Sequence, residues 1–253
     1  MSKTKNIKIN DQIYKMKLQA ISKEKTYSGT VYPLQIEENL MAIKIYRTKK
    51  DFPSEQQDDW FPPLEDIQEF IEVSYQSFPF LLSNCIVLDE ENKYIGCGTY
   101  CVTETKGDTK QIIFDLPRDK FFQDTDKLRE QIPVLSKAKI SLSDCSIDNI
   151  KFGTITKKPK EERLYIFDDS NYRIEEDYDI KTITKENDKS FNELALDILY
   201  FYLHNNQIPL YICYEILDEV RKHNDHFSFL EKESRGYLNM NEFLLDYTKR
   251  YQK

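Results

Sequence analysis

The sequence predicts an α+β fold: an antiparallel, strand-rich N-terminal part with one helix, followed by a mainly helical part. Three observations predict it. Apolar and polar residues alternate with period two through much of residues 5–48. A single helical stretch, opened by Pro62 and Pro63, interrupts the strands. From Phe191 onward, apolar residues recur at helical spacing through three segments. No internal repeat or low-complexity run divides the chain, so residues 1–253 read as one two-lobed domain, with lobes 1–102 and 103–253. A ligand is expected in the cleft between them.

Each element has its own signature. The strands are "YKMKLQAI", "GTVYPLQI" and "NLMAIKIYR", with a tight turn at Glu37, Glu38 and Asn39. A charged loop at 49–59 follows. The helix covers 64–77, with Leu64, Ile67 or Gln68, Ile71 and Tyr75 on one face. "SNCIVLDEE" and "KYIGCGTYCV" form a hairpin around Asn92. Residues 124–137 are helical, with Pro133 as a break. "IKFGTI" and "RLYIF" are short strands around a Lys/Glu loop. The last three helices are "FNELALDILYFYLH", "LYICYEILDEVRKH" and "MNEFLLDYTKRY".

Composition excludes several function classes. A chain of 253 residues buries a core without a disulfide or metal staple. The net charge of −8 argues against a general nucleic-acid binder, which needs a basic face. The five cysteines fit no zinc spacing and read as small buried hydrophobes in a reducing compartment. The three histidines fall away from the motifs below and read as surface or satisfied residues. No run approaches the ~18 apolar residues of a membrane span. The N-terminal "MSKTKNIKIND" lacks an apolar signal core, so a cytoplasmic protein is expected, or one delivered into a host cell without a cleavable signal.

Four segments carry chemistry. In "LMAIKIYR", Leu40, Ala42, Lys44 and Tyr46 share a strand face, and a lysine among apolar neighbours calls for an anionic partner. Thirteen residues before Ala42, "GTVY" supplies Gly29 and Val31. In "LSDCSIDNIKF", Asp144 and Asn149 lie five apart. In "RLYIFDDSNYRI", a short apolar strand ends at Asp168. Taken singly, each has an ordinary reading: a snorkelling edge lysine, an Asx-rich turn, a solvated strand end.

Their order is what departs from chance. Gly29, Val31, Ala42, Lys44, a glutamate-bearing helix, Asp144, Asn149 and Asp168 follow one another on the element types that a protein kinase requires. Over about residues 15–205 the chain resembles the eukaryotic-like protein kinase superfamily, and in particular small bacterial serine/threonine-kinase-like proteins. The resemblance implies ATP and Mg²⁺ as ligands and a protein as substrate or partner. It implies that Lys44 holds phosphates, Asp144 orients the acceptor hydroxyl, and Asn149 and Asp168 bind metal, with Asp169 as the alternative to Asp168. Glu69 would pair with Lys44; Glu65 and Glu72 are the other candidates. Gly29, Val31, Ala42 and the hinge residues Thr99, Tyr100 and Val102 would surround the nucleotide, Thr99 as gatekeeper. Asp188 would brace the catalytic loop.

The sequence also departs from that pattern. Lys25, Thr26 and Tyr27 occupy the place of the earlier glycines. Leu142 and Ser143 replace the His and Arg before the catalytic Asp, Ser146 replaces a phosphate-contacting Lys, and Asp169 replaces an apolar residue. Twenty positions separate Asp168 from Asp188, with no A-P-E motif. A minimal Mg²⁺- and ATP-dependent protein kinase is therefore the leading expectation. A nucleotide-binding pseudokinase scaffold and a small-molecule phosphotransferase are the alternatives.

Overall fold

The structure is a computed structural model, and it describes residues 3–21, 29–46, 62–104, 109–143, 145–155, 161–167 and 172–252. The chain opens on a hairpin, β1 (Thr4–Ile9) and β2 (Gln12–Lys17). Its turn residues Asn10 and Asp11 have φ of 48° and 63°, the paired left-handed geometry of a two-residue hairpin, which Asn and Asp tolerate. A second hairpin joins β3 (Gly29–Ile36) to β4 (Asn39–Tyr46) through Glu37 and Glu38, where the turn was expected. Helix α1 (Leu64–Val73) precedes a third hairpin, β5 (Cys85–Leu88) and β6 (Tyr94–Tyr100).

These six strands form one antiparallel sheet in the order β2-β1-β5-β6-β4-β3. The sheet is coiled enough that its two edge strands lie near each other. Ile21 N donates to Val31 O at 2.9 Å across that gap. Inside the coil, Ile7, Ile9, Met16, Leu34, Met41, Ile43, Cys85 and Val87 make a compact apolar core. Period-two alternation puts Met41 and Ile43 into it and turns Ala42, Lys44 and Tyr46 the other way. Gly98 permits the packing: a Cβ there would stand 2.6 Å from Ile43 Cδ1 and 2.7 Å from Cys85 Sγ.

The rest of the chain is mainly helical and carries two small sheets. Strand β7 (Thr103–Glu104) leads to α2 (Thr109–Asp115), α3 (Arg118–Arg129) and α4 (Ile132–Lys137). Then come β8 (Ile140–Ser141), a 3₁₀ turn at Ile147–Asn149, β9 (Ile150–Thr154), β10 (Arg163–Ile166) and β11 (Arg173–Ile174). The chain ends in α5 (Ile180–Asn205), α6 (Leu210–Arg221), α7 (His226–Glu233) and α8 (Met240–Tyr251). Strands β10, β9 and β7 form one sheet in that order, and β11 pairs with β8.

Several expectations are refined here. The helix expected over 124–137 is two helices, with Pro133 in the first turn of α4, where its missing N–H costs nothing. The helix expected from Phe191 begins at Ile180, capped by Asp179, whose carboxylate accepts from Thr182 N at 2.9 Å. Helices α2 and α7 and the first turns of α3 were not anticipated; in α3 and α7, polar and charged residues dilute the apolar period. The main core runs from α1 and the ends of β4 and β6 through α2–α8. Among the described residues, no helix is long and apolar enough to cross a membrane.

Candidate functional site

A cavity of about 290 Å³ opens between the six-stranded sheet and the β9–β10 hairpin. That size is near the lower end for small-molecule sites. Its roof is Val31 of β3, Ala42 and Lys44 of β4, and Cys97, Gly98, Thr99 and Tyr100 of β6, continued by Cys101 and Val102. Its floor is Lys151 of β9 and Phe167 just after β10; Ile21 and Ser83 complete the wall.

The roof follows from strand register. Val31 pairs with Lys44, while Ala42 and Lys44 oppose Thr99 and Cys97. All of these side chains share the face turned away from the sheet's own core. Ala42 contributes a methyl group where a larger residue would fill the space. Lys44 is 9 % exposed and reaches the cavity from the same face. Thr99 Oγ1 donates to Leu82 O at 2.9 Å, which fixes its rotamer at the cavity wall. Cys101 N donates to Leu40 O at 2.9 Å, whereas the Val102 amide donates no hydrogen bond among the described residues.

The floor is set by a second register. Ile150 pairs with Ile166, and Phe167 N donates to Asn149 O at 3.0 Å. The 3₁₀ turn and the end of β10 are thereby locked side by side. Along β9, Ile150 and Phe152 enter the main core, while Lys151 and Ile155 take the opposite face. Lys151 Nζ lies 5.2 Å from the Phe167 ring centroid.

Groups near the cavity are tuned toward neutrality. Burial, aided by the Tyr75 hydroxyl, pushes the Tyr100 phenol up to about 12. Burial, then the neighbouring Cys97, pushes the Cys85 thiol up to about 12. Burial raises the Tyr46 phenol as well, and its oxygen lies 3.1 Å from Cys97 Sγ. These three groups are neutral hydrogen-bonding partners at pH 7, not activated nucleophiles.

The structure brings together Val31, Ala42, Lys44, Thr99, Tyr100 and Val102. Gly29 lies one pleat step beyond Val31 and does not line the cavity; a Cβ there would stand 2.6 Å from Ile45 O. Asn149 is half-buried at the edge of the floor, beside Phe167. Asp144 and Asp168, with the alternative Asp169, lie outside the described residues. Among the described residues no cluster of three or more His, Cys, Asp and Glu side chains forms a metal site. The amide oxygen of Asn149 is nevertheless a hard donor of the kind Mg²⁺ accepts.

Two expectations meet a different arrangement. Glu69 and Glu72 are exposed on α1, and neither forms an ion pair with Lys44. The helix turns Ile67 and Phe70 inward instead, leaving the glutamates on the solvent side. Asp66 of α1 lies beside Arg173 and accepts a hydrogen bond from the Ile174 backbone of β11. The brace expected at Asp188 is at Asn187, one position earlier. Asn187 is fully buried; its Oδ1 accepts from Leu142 N at 2.7 Å, and its Nδ2 donates to Ile140 O at 2.8 Å and Ser136 Oγ at 3.0 Å. Asp188 is exposed beside Arg129 and Asp225, because the buried face of α5 runs through Ile183, Asn187 and Phe191 and the next residue is turned about 100° away from it.

A second brace had no precursor in the sequence reading. Asp197 Oδ2 accepts from Ile147 N at 2.6 Å. Asn187 and Asp197 thus hold the two ends of the segment 142–147. Their ten-residue separation along α5 corresponds to a rise of about 15 Å. A polar residue at a core position of a helix was the available signal, since such a group demands a partner.

Comparison with known proteins agrees with this architecture. The kinase domain of PknI from Mycobacterium tuberculosis, solved as a double mutant, is similar over 100 % of both chains, with a TM-score of 0.52 and 12 % identity. The chain is similar in fold to a protein kinase domain. At that identity the likeness concerns the fold. No family model matches the sequence, and no curated protein matches it.

Proposed function

We propose that this chain is a two-lobed, kinase-like phosphotransferase that binds ATP with Mg²⁺ in the cavity and phosphorylates a Ser or Thr hydroxyl of a protein. The observation that carries the reading is the shared lining of one cavity by Val31, Ala42, Lys44 and the Thr99–Val102 segment. A flat heteroaromatic ring fits between Val31 and Ala42 above and Phe167 below. The Val102 amide is a donor for its edge. Lys44, buried on the same face, is the charge partner for phosphates.

In the proposed step the acceptor oxygen bonds to the terminal phosphorus as the bond to the bridging oxygen breaks. The hydroxyl proton passes to the Asp144 carboxylate, and ADP leaves. Asn149 and Asp168 would hold Mg²⁺, which neutralises phosphate charge when bound. The chain's own contribution is positioning: Asn187 and Asp197 hold Leu142 and Ile147, which flank Asp144 in sequence.

A specific observation favours a second reading, a nucleotide-binding pseudokinase. Glu69 is exposed and unpaired with Lys44, so the lysine is not fixed by α1. The decisive experiment is ATP and Mg²⁺ binding followed by labelled-phosphate transfer to a protein acceptor, with Lys44→Ala and Asp168→Ala beside the wild type. Transfer lost in both variants supports the kinase. Binding without transfer to a panel of acceptors supports the pseudokinase. Absence of binding sinks both readings.

A further inference from the structure

Strand β10 leads to Phe167 in the floor of the cavity, and it is the edge of its three-stranded sheet. Phe167 N donates to Asn149 O, and the same register continues back through Tyr165 and Arg163. The backbone groups of these three residues therefore point toward β9, and those of Leu164 and Ile166 point away from it. On a buried strand such an outward row needs partners. It finds two. Ile166 O accepts from Leu81 N at 2.7 Å, a contact of backbone with backbone. Leu164 N donates to Asp124 Oδ2 at 3.1 Å, so a side chain of α3 stands in for a neighbouring strand. We propose that Asp124 is a positioning residue of the cavity floor, holding β10 at the height where Phe167 closes the ligand space. The proposal rests on the nucleotide-cleft reading above for what the floor receives.

The setting of Asp124 departs from what its helix asks for. Phe121, Thr125 and Leu128 are buried on the same side of α3, so the helical period places a core residue at 124. The residue there is a carboxylate only 1 % exposed. Burying a charge is costly unless it is paired and hydrogen-bonded. Lys120 Nζ, one turn earlier on α3, lies 2.7 Å from Oδ1, and Leu164 N occupies Oδ2. The lysine compensates the charge and orients the carboxylate, and the second oxygen is committed to β10. A leucine in this place would fill the core and leave the Leu164 N–H without an acceptor. Lys127 adds a weaker, more exposed link from α3 to Glu161, just before β10, at 3.3 Å.

The hold reaches the cavity by a short path. Phe167 follows Leu164 by three residues, about 10 Å along an extended chain. Tyr165 and Phe167 share the face of β10 that packs with Leu81, Val102 and Ile155. Val102 and Phe167 both line the cavity. A shift of β10 relative to α3 would therefore move the floor against the wall at Val102.

The test is residue-resolved amide hydrogen exchange by NMR on the full chain, wild type against Asp124→Ala and Asp124→Asn, together with ATP and ADP titrations in MgCl₂. In Asp124→Ala the Leu164 and Phe167 amides should both exchange about tenfold faster, while the amides of α5 keep their wild-type rates. Asp124→Asn keeps an acceptor oxygen for Leu164 N, and the partly exposed Lys120 can turn to water, so wild-type rates should return. ATP and ADP affinity should fall about fivefold in Asp124→Ala and recover in Asp124→Asn. Should Asp124→Ala not fold, Lys120→Met gives the same readout on a smaller scale, about threefold faster exchange at both amides. Acceleration at Leu164 with Phe167 unchanged would overturn the proposal, because the carboxylate would then satisfy one N–H and position nothing. Equal acceleration in α5 and β10 would overturn it as well, marking Asp124 as a residue of the general core. So would unchanged nucleotide affinity in a variant whose Phe167 amide is freed. If the wild type binds neither nucleotide, the nucleotide reading falls, and the exchange rates alone decide whether Asp124 holds the floor.

Discussion

The roof and the floor of the cavity are built by different physics. The roof is a ladder: β3, β4 and β6 are hydrogen-bonded neighbours, and their register fixes which side chains face the ligand space. The floor begins as a hairpin, but the loop beside it is held by side chains of α5. Leu142 N reaches Asn187 Oδ1 across 45 positions, and Ile147 N reaches Asp197 Oδ2 across 50. A ladder distributes its hold over many backbone bonds. A side-chain brace concentrates it in one or two groups. The first tolerates changes on its exposed positions; the second fails when a single residue is altered.

That contrast gives its largest expected effect at the floor. Asn187→Leu should cost about 4 kcal/mol, because it leaves the buried Leu142 N–H and Ile140 C=O without their partner. Urea denaturation measures it, and a loss below about 1 kcal/mol would show that the brace is dispensable. The roof is tested sterically at Gly98, whose Cβ position is already occupied by neighbouring side chains. Gly98→Ala should cost about 2 kcal/mol, since the new Cβ would press on both Ile43 and Cys85. A neutral result would mean that the coiled sheet relaxes more easily than a packed core does.

Smaller effects sharpen the contrast by separating binding from stability. Lys44→Ala should lower ATP affinity about tenfold, readable by titration, while leaving the melting temperature nearly unchanged. An equal loss of stability would mark Lys44 as a packing residue. Glu69→Ala should alter stability by less than about 0.5 kcal/mol, as expected for an exposed helix position. A larger loss would reveal a contact with Lys44 that the present arrangement does not have.

The smallest effect concerns pH. Burial raises the Asp66 carboxyl above its ordinary value; Arg173 opposes the shift, while Glu65 and Glu175 add to it. The folded state then binds the proton more tightly than the unfolded state. Stability from this group falls as pH rises from the ordinary aspartate range through the raised folded value, and the charged form is disfavoured above it. Asp66→Asn should flatten that part of the stability curve and slightly stabilise the protein at pH 7. Destabilisation of the variant at pH 7 would mean that Arg173 dominates.

The sequence alone determined most of the roof. Alternation in "LMAIKIYR" put Ala42 and Lys44 on one face, and the structure turns that face to the cavity because a strand's side-chain period is fixed by backbone geometry. The resemblance to protein kinases singled out Thr99, Tyr100 and Val102, and these line the same space. Tertiary structure decided the rest. Whether α1 offers Glu69, Glu72 or Asp66 to its surroundings depends on helix rotation, and Ile67 and Phe70 set that rotation by packing into the main core. Asn187 rather than Asp188 became the brace because Asn187 shares the buried face of α5 with Ile183 and Phe191, four positions to either side, and one residue along a helix turns a side chain by about 100°. Lys151 and Phe167 met at the floor because β9 pairs with β10 in a particular register. Local periodicity is encoded within a few neighbouring residues. Rotation, register and bracing are set by contacts between residues tens of positions apart, whose energies appear only when the chain is folded.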